Sequence, residues 1–235
     1  MAGMGRNIMN IKISNVNKTI KKAVILENIN VEFESGRIYG LRGSNGSGKT
    51  MLMRAICGLI IPESGEINID GDILGKDISF PKSIGALIEN PSFISSYTGF
   101  RNLKLLASIQ NKITDDQIRG AIKAVGLNPD DKRTFRKYSL GMKQRLGIAC
   151  AIMENSDIVI LDEPVNALDE TGIELVRKIL KEQKERGALI IIACHDRTEL
   201  EYLSDEIYEI FEGKITNHFI VGDKSKVSEG TVNEA

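Results

Sequence analysis

The sequence predicts an α/β fold in which a parallel sheet packed with helices is joined by an N-terminal antiparallel sheet and interrupted by an inserted helical segment. Three observations predict it. Short, continuous runs of Ile, Leu and Val at 158–161 and 188–194 have the length and composition of strands buried on both faces. Apolar runs at 9–13, 24–33 and 67–69 are broken by polar turns, as in an antiparallel sheet. Between about 90 and 137 the apolar spacing changes to that of helices.

In chain order, residues 37–41 read as a strand that runs into a glycine-rich turn and then a helix at 49–59. Leu103, Leu105, Leu106 and Ile109 mark one helix of the insertion, and Ile118, Ile122 and Val125 a second. Thr114 with Gln117 forms a capping-box pair that starts the second. A helix at about 139–154 returns the chain to the sheet. The expected division is one domain over 1–222, with a core at 1–88 and 138–222 and a helical subdomain at about 89–137. The polar tail at 223–235 is expected to be disordered.

The 235 residues are 42% hydrophobic and 27% charged, the balance of an ordinary globular protein. A formal net charge of -1 supplies no positive field for phosphate backbones, so no nucleic-acid partner is expected. Cys57, Cys150 and Cys194 are far apart and lie in apolar stretches, which suits buried hydrophobes better than metal ligands or disulfides. No segment approaches the roughly 20 apolar residues of a membrane span, and residues 1–10 hold no signal-like run. Any transport pathway is therefore expected in another chain.

The chemistry concentrates first in Gly43, Ser44, Asn45, Gly46, Ser47, Gly48, Lys49 and Thr50, a complete GxxxxGK[ST] loop between a predicted strand and a predicted helix. Glycines let successive N–H groups face phosphate oxygens, and the helix N-terminus adds its positive end. Lys49 is expected at the β- and γ-phosphates of ATP, and the Thr50 hydroxyl on Mg²⁺. The fold class thus becomes a P-loop NTPase core. At 158–163 a second apolar strand ends in Asp162 and Glu163, where open α/β sheets bind ligands. Alone, two acids there would read as a solvated strand end. Beside a phosphate loop, Asp162 is expected to hold Mg²⁺ through water and Glu163 to act as general base.

Over nearly its whole length the chain resembles the ATPase subunits of ABC transporters. Tyr138-Ser139-Leu140-Gly141-Met142 is similar to the family's LSGGQ signature, Ala167-Leu168-Asp169 to its D-loop, and His195 to its switch histidine. Glu89 occupies the Q-loop position. The resemblance implies a RecA-like parallel sheet and a head-to-tail dimer that sandwiches ATP between the loop of one subunit and the signature of the other. Ser139, Gly141 and Asp169 would then serve the partner's nucleotide, His195 would touch the γ-phosphate of its own subunit, and Glu89 would join Thr50 and Asp162 at Mg²⁺. It further implies a separately encoded transmembrane permease and a place on the cytoplasmic face of the membrane.

Three departures qualify the likeness. Glu89 stands where the family usually has glutamine, which resembles the bacitracin- and lantibiotic-resistance exporters. Leu140 and Met142 replace a glycine and a glutamine of the signature. Ile20 aligns with the aromatic residue that stacks on adenine, offering a less specific contact. Phe93, Tyr97 and Phe100 are read either as a groove for the permease or as core residues of the insertion. The functional expectation is a transporter ATPase, with a soluble ATPase of a cytosolic assembly complex such as iron–sulfur cluster biogenesis as the alternative; a nucleic-acid or ribosome-associated role is disfavoured by the net charge.

Overall fold

The structure, a computed structural model, describes residues 9–222. The expected disorder of 223–235 lies outside the described residues. Two sheets form the molecule. In the first, β1 (Asn10–Ile20) pairs antiparallel with β2 (Ala23–Glu34) through a two-residue turn at Lys21 and Lys22, both with positive φ. That is the twist a tight hairpin prefers.

After β3 (Ile38–Arg42) the chain enters the glycine-rich loop and α1 (Lys49–Ile56), then β4 (Ser64–Ile69) and β5 (Asp72–Ile73), which complete the order β2-β1-β4-β5. Helix α1 stops before the expected residue 59. Gly58, at φ +74°, donates to Ala55 O while Leu59 donates to Arg54 O, so a Schellman ending closes the helix after Ile56.

β6 (Ile84–Leu87) precedes α2 (Gly99–Gln110) and α3 (Asp115–Ala124), and a single 3₁₀ turn (Phe135–Lys137) leads into α4 (Leu140–Ile152). Thr114 and Gln117 do form the capping box of α3, and Ile118, Ile122 and Val125 are buried. In α2, however, only Leu103 of the four periodic residues is buried. Leu105, Leu106 and Ile109 are exposed, because the inward face is Gly99, Asn102, Leu103 and Ala107.

The remaining elements are β7 (Ile158–Asp162), α5 (Glu170–Glu185), β8 (Leu189–Ala193), α6 (Arg197–Leu203), β9 (Glu206–Phe211) and β10 (Lys214–Ile220). They build the second sheet, order β10-β9-β3-β8-β7-β6, parallel throughout except for β10. Successive residues of β7 feed opposite cores. Ile158 and Ile160 face the antiparallel sheet with Phe33, Tyr39 and Leu52, whereas Val159 and Leu161 face the helices with Leu146, Ile148 and Leu180. This two-sided burial is why the run is continuously apolar.

Cys57 and Cys194 are buried, as the sequence suggests, whereas Cys150 is half-buried. Burial pushes Cys57 up to about 12 and Cys150 and Cys194 to about 11, so all three stay protonated at neutral pH. Among the described residues, no helix is long and apolar enough to cross a membrane.

Candidate functional site

Parallel strands release their loops at the same edge, and four of those loops hold expected site residues. β3 runs into residues 43–50, β6 towards Glu89, β7 into Asp162 and Glu163, and β8 towards His195. Register makes them neighbours: Leu41 and Asp162 both pair with Ala193, and Leu161 pairs with Leu87. The four segments meet at the carboxyl end of the sheet, where such folds bind ligands. A cleft of about 390 Å³ opens there, lined by residues 45–50, Glu89, Asp162, Glu163 and His195.

Gly48 is the N-cap of α1 at φ +113°, a conformation that side chains with a Cβ rarely adopt. No side chain caps the helix, and its first turn carries no acid. The amides that helices leave unpaired at their start therefore remain open to an anion. Lys49 is only 6% exposed, and its Nζ donates to Gly43 O at 2.7 Å and Ser44 O at 3.0 Å. Burial pulls its pKa below the ordinary lysine value, against the opposing pull of Glu163 and Asp162. Ser47 Oγ is buried without a hydrogen bond.

Thr50 Oγ1 donates to Asp162 Oδ2 at 2.7 Å, joining the loop to β7. Glu163 follows at φ +53°, its N–H donating to Ala193 O at 2.9 Å and its Oε2 accepting from the His195 N–H at 3.2 Å. Its other oxygen, Oε1, is buried and makes no hydrogen bond, although His195 Nε2 lies 3.2 Å away. Burial raises the Glu163 pKa above the usual carboxylate value, and the nearby His195 partly offsets it. Glu89, at φ +59°, is directed onto Arg54 Nη2 of α1 at 2.8 Å.

Ile20, Ser139, Gly141 and Asp169 are not among the residues lining the cleft. Ile20 ends β1 beside the hairpin turn, paired with Ala23, and the aliphatic residue in the cleft wall is Ile25. Ser139 is exposed as the N-cap of α4, its Oγ accepting from Met142 N at 3.2 Å. Asp169 is exposed as the N-cap of α5. A Cβ on Gly141 would lie 2.9 Å from Ala167 O, so this glycine lets the start of α4 touch the loop before α5. None of the three therefore lines its own chain's cleft.

Phe93, Tyr97 and Phe100 are half-buried in the insertion itself. Phe93 meets Phe135 edge to face at 5.2 Å, and the guanidinium groups of Arg101 and Arg119 cover Tyr97 and Phe100. Sequence reasoning assigned nothing to Met51, Asn90 or Asn166 and read Gln144 only as part of the Lys143-Gln144-Arg145 run after the signature; all four also line the cleft. Gln144 had a legible signal: one uncharged amide between Lys143 and Arg145 on a helix that is otherwise apolar.

A family model described as ABC transporter matches residues 26–166. An uncharacterised ABC transporter ATP-binding protein of Bacillus subtilis (strain 168), YybJ, is 50% identical over 205 residues, 87% of this chain and 94% of that protein. The chain belongs to the ABC transporter ATP-binding family.

This ABC ATPase is also 36% identical over 218 residues to the bacitracin transport ATP-binding protein BcrA of Enterococcus faecalis, covering 92% of this chain and 71% of that one. To the lantibiotic transport ATP-binding protein SrtF of Streptococcus pyogenes it is 37% identical over 206 residues, covering 87% and 88%. Among solved structures, cbiO1 of Clostridium perfringens, part of the cbiONQ transporter complex, matches with a TM-score of 0.72 at 26% identity, covering 88% of this chain and 87% of that one. A dimeric ATP-binding cassette bound to ADP and Pi shares the fold with a TM-score of 0.83 at 22% identity, covering 91% and 99%. The chain is thus a transporter's ATP-binding subunit, an ATPase coupled to transport.

Proposed function

We propose that this ABC ATPase powers the export of peptide antibiotics, working as an ATP-closed pair on the cytoplasmic face of the membrane beneath a separately encoded permease. Relatives named for bacitracin and lantibiotic transport support the cargo class. The loop at 43–50 and the open start of α1 hold the phosphates, and Lys49 exchanges the carbonyls of Gly43 and Ser44 for the β- and γ-oxygens. Glu163 takes the proton of the attacking water at Oε1, the oxygen that makes no hydrogen bond. A pKa raised by burial suits that duty.

The donor set suits Mg²⁺: a hydroxyl and a buried carboxylate, hard oxygen donors already in contact. Thr50 and Asp162 would hold the ion, with Glu89 joining once it leaves Arg54, and bound Mg²⁺ supplies neutralisation of developing phosphate charge. His195 stays beside Glu163 and faces the γ-phosphate. The partner's Ser139 and the partner's Gly141 complete the site, with Asp169 at the seam, and residues 89–137 act as the helical subdomain.

The observation that carries this reading is the meeting of the phosphate loop, Asp162 and Glu163 in one cleft. Glu163→Gln should bind ATP as the parent does and lose hydrolysis by about 10²–10⁴-fold; hydrolysis at the parent rate would place the base elsewhere. Cells carrying the chain with its permease should survive bacitracin or a lantibiotic better than cells carrying Glu163→Gln. Equal susceptibility across such a panel would remove the cargo assignment.

A further inference from the structure

The backbone at Glu163 is held from a second element that the reaction, as described so far, does not use. Gln144 of α4 is 7% exposed, and its Nε2 donates to Glu163 O at 2.8 Å and reaches Pro164 O at 3.4 Å. Glu163 O also accepts from Asn166 N at 3.1 Å, and the residue sits in the left-handed region at φ +53°. For a glutamate that region is unfavourable and persists only where surroundings fix it. Gln144 is thus a buried amide spent on orienting a strained residue.

The same helix carries Ser139 at its start, five residues before Gln144. One turn of α4 also touches the following loop, where Ala167 likewise has positive φ, +61°. Any shift of α4 therefore pulls on the carbonyl of Glu163. We infer that Gln144 is a positioning residue that aims the Glu163 carboxylate and makes that aim depend on where α4 sits. Resting on the paired-subunit reading above, this means that a subunit whose Ser139 has engaged the partner's nucleotide sets the base in its own cleft.

The test uses the full chain. Gln144→Met keeps the side-chain length and removes the donor, and Gln144→Glu turns an acceptor towards two carbonyl oxygens. Both should bind a fluorescent ATP analogue within about 2-fold of the parent and lose kcat by about 10- to 100-fold, the scale of a misplaced catalytic group. In the Glu163→Gln background, Gln144→Met should still form the ATP-dependent dimer seen by light scattering. A merely structural role would lose that dimer together with kcat, and that result overturns the inference. So does a kcat within about 2-fold of the parent in both variants. If the parent hydrolyses no ATP, or if Glu163→Gln alone never dimerises, the paired-subunit reading fails and takes this inference with it.

Discussion

Glu163 shows how much of the chemistry is set by one residue's surroundings. Its carboxyl is raised by burial, so ionising it costs more in the folded chain than in the unfolded one. Stability linked to a raised carboxyl is fully present below the ordinary carboxylate range and is lost as pH rises through the raised value. Glu163→Gln removes that cost. Its melting temperature should exceed the parent's at neutral pH, and the gap should close as pH falls towards about 4. Identical melting at every pH would mean that the carboxyl is not destabilising. Glu89 is a contrasting case, a half-exposed ion pair with Arg54 of a kind worth at most about 1 kcal/mol. Such a contact yields readily to a stronger partner.

At the scale of elements, the signals that survived were those written in local chemistry. The α3 capping box is fully formed, with Thr114 Oγ1 accepting from Gln117 N and Gln117 Oε1 accepting from Thr114 N. Thr114→Ala should cost about 1 kcal/mol of stability in urea unfolding and leave ATP hydrolysis untouched, because the cap is remote from the cleft. An unchanged unfolding midpoint would deny the cap its role. Central strands β7 and β8 were legible because burial on both faces leaves only apolar residues. β9 and β10 were not assigned from sequence, since both mix polar and apolar residues: β10 is the exposed edge strand, and β9, though largely buried beside β3, carries Glu206 and Glu209. α2 misled through its apolar content: spacing identifies a helix, but only packing decides that Asn102 turns inward, bonded to Ile94, while Ile109 faces out.

For the whole molecule, the decisive feature is that one cleft is assembled by parallel strands while a second set of expected site residues is not part of its lining. Sequence order alone could name residues 43–50, Asp162, Glu163 and His195 as one site, because each follows a strand of the same sheet. It could not show that Gln144 bonds to the Glu163 carbonyl or that Ile25 lines the cleft, which follow from helix packing and hairpin geometry. Under the proposed pairing, Ser139, Gly141 and Asp169, which are not part of their own chain's cleft lining, would serve the nucleotide of a second copy. The measurement that tests this most directly is light scattering on Glu163→Gln with and without Mg-ATP. The account predicts that mass doubles on adding ATP, and that Ser139→Ala in the same background weakens the doubling. A chain that binds ATP yet stays at the same mass would contradict the shared site.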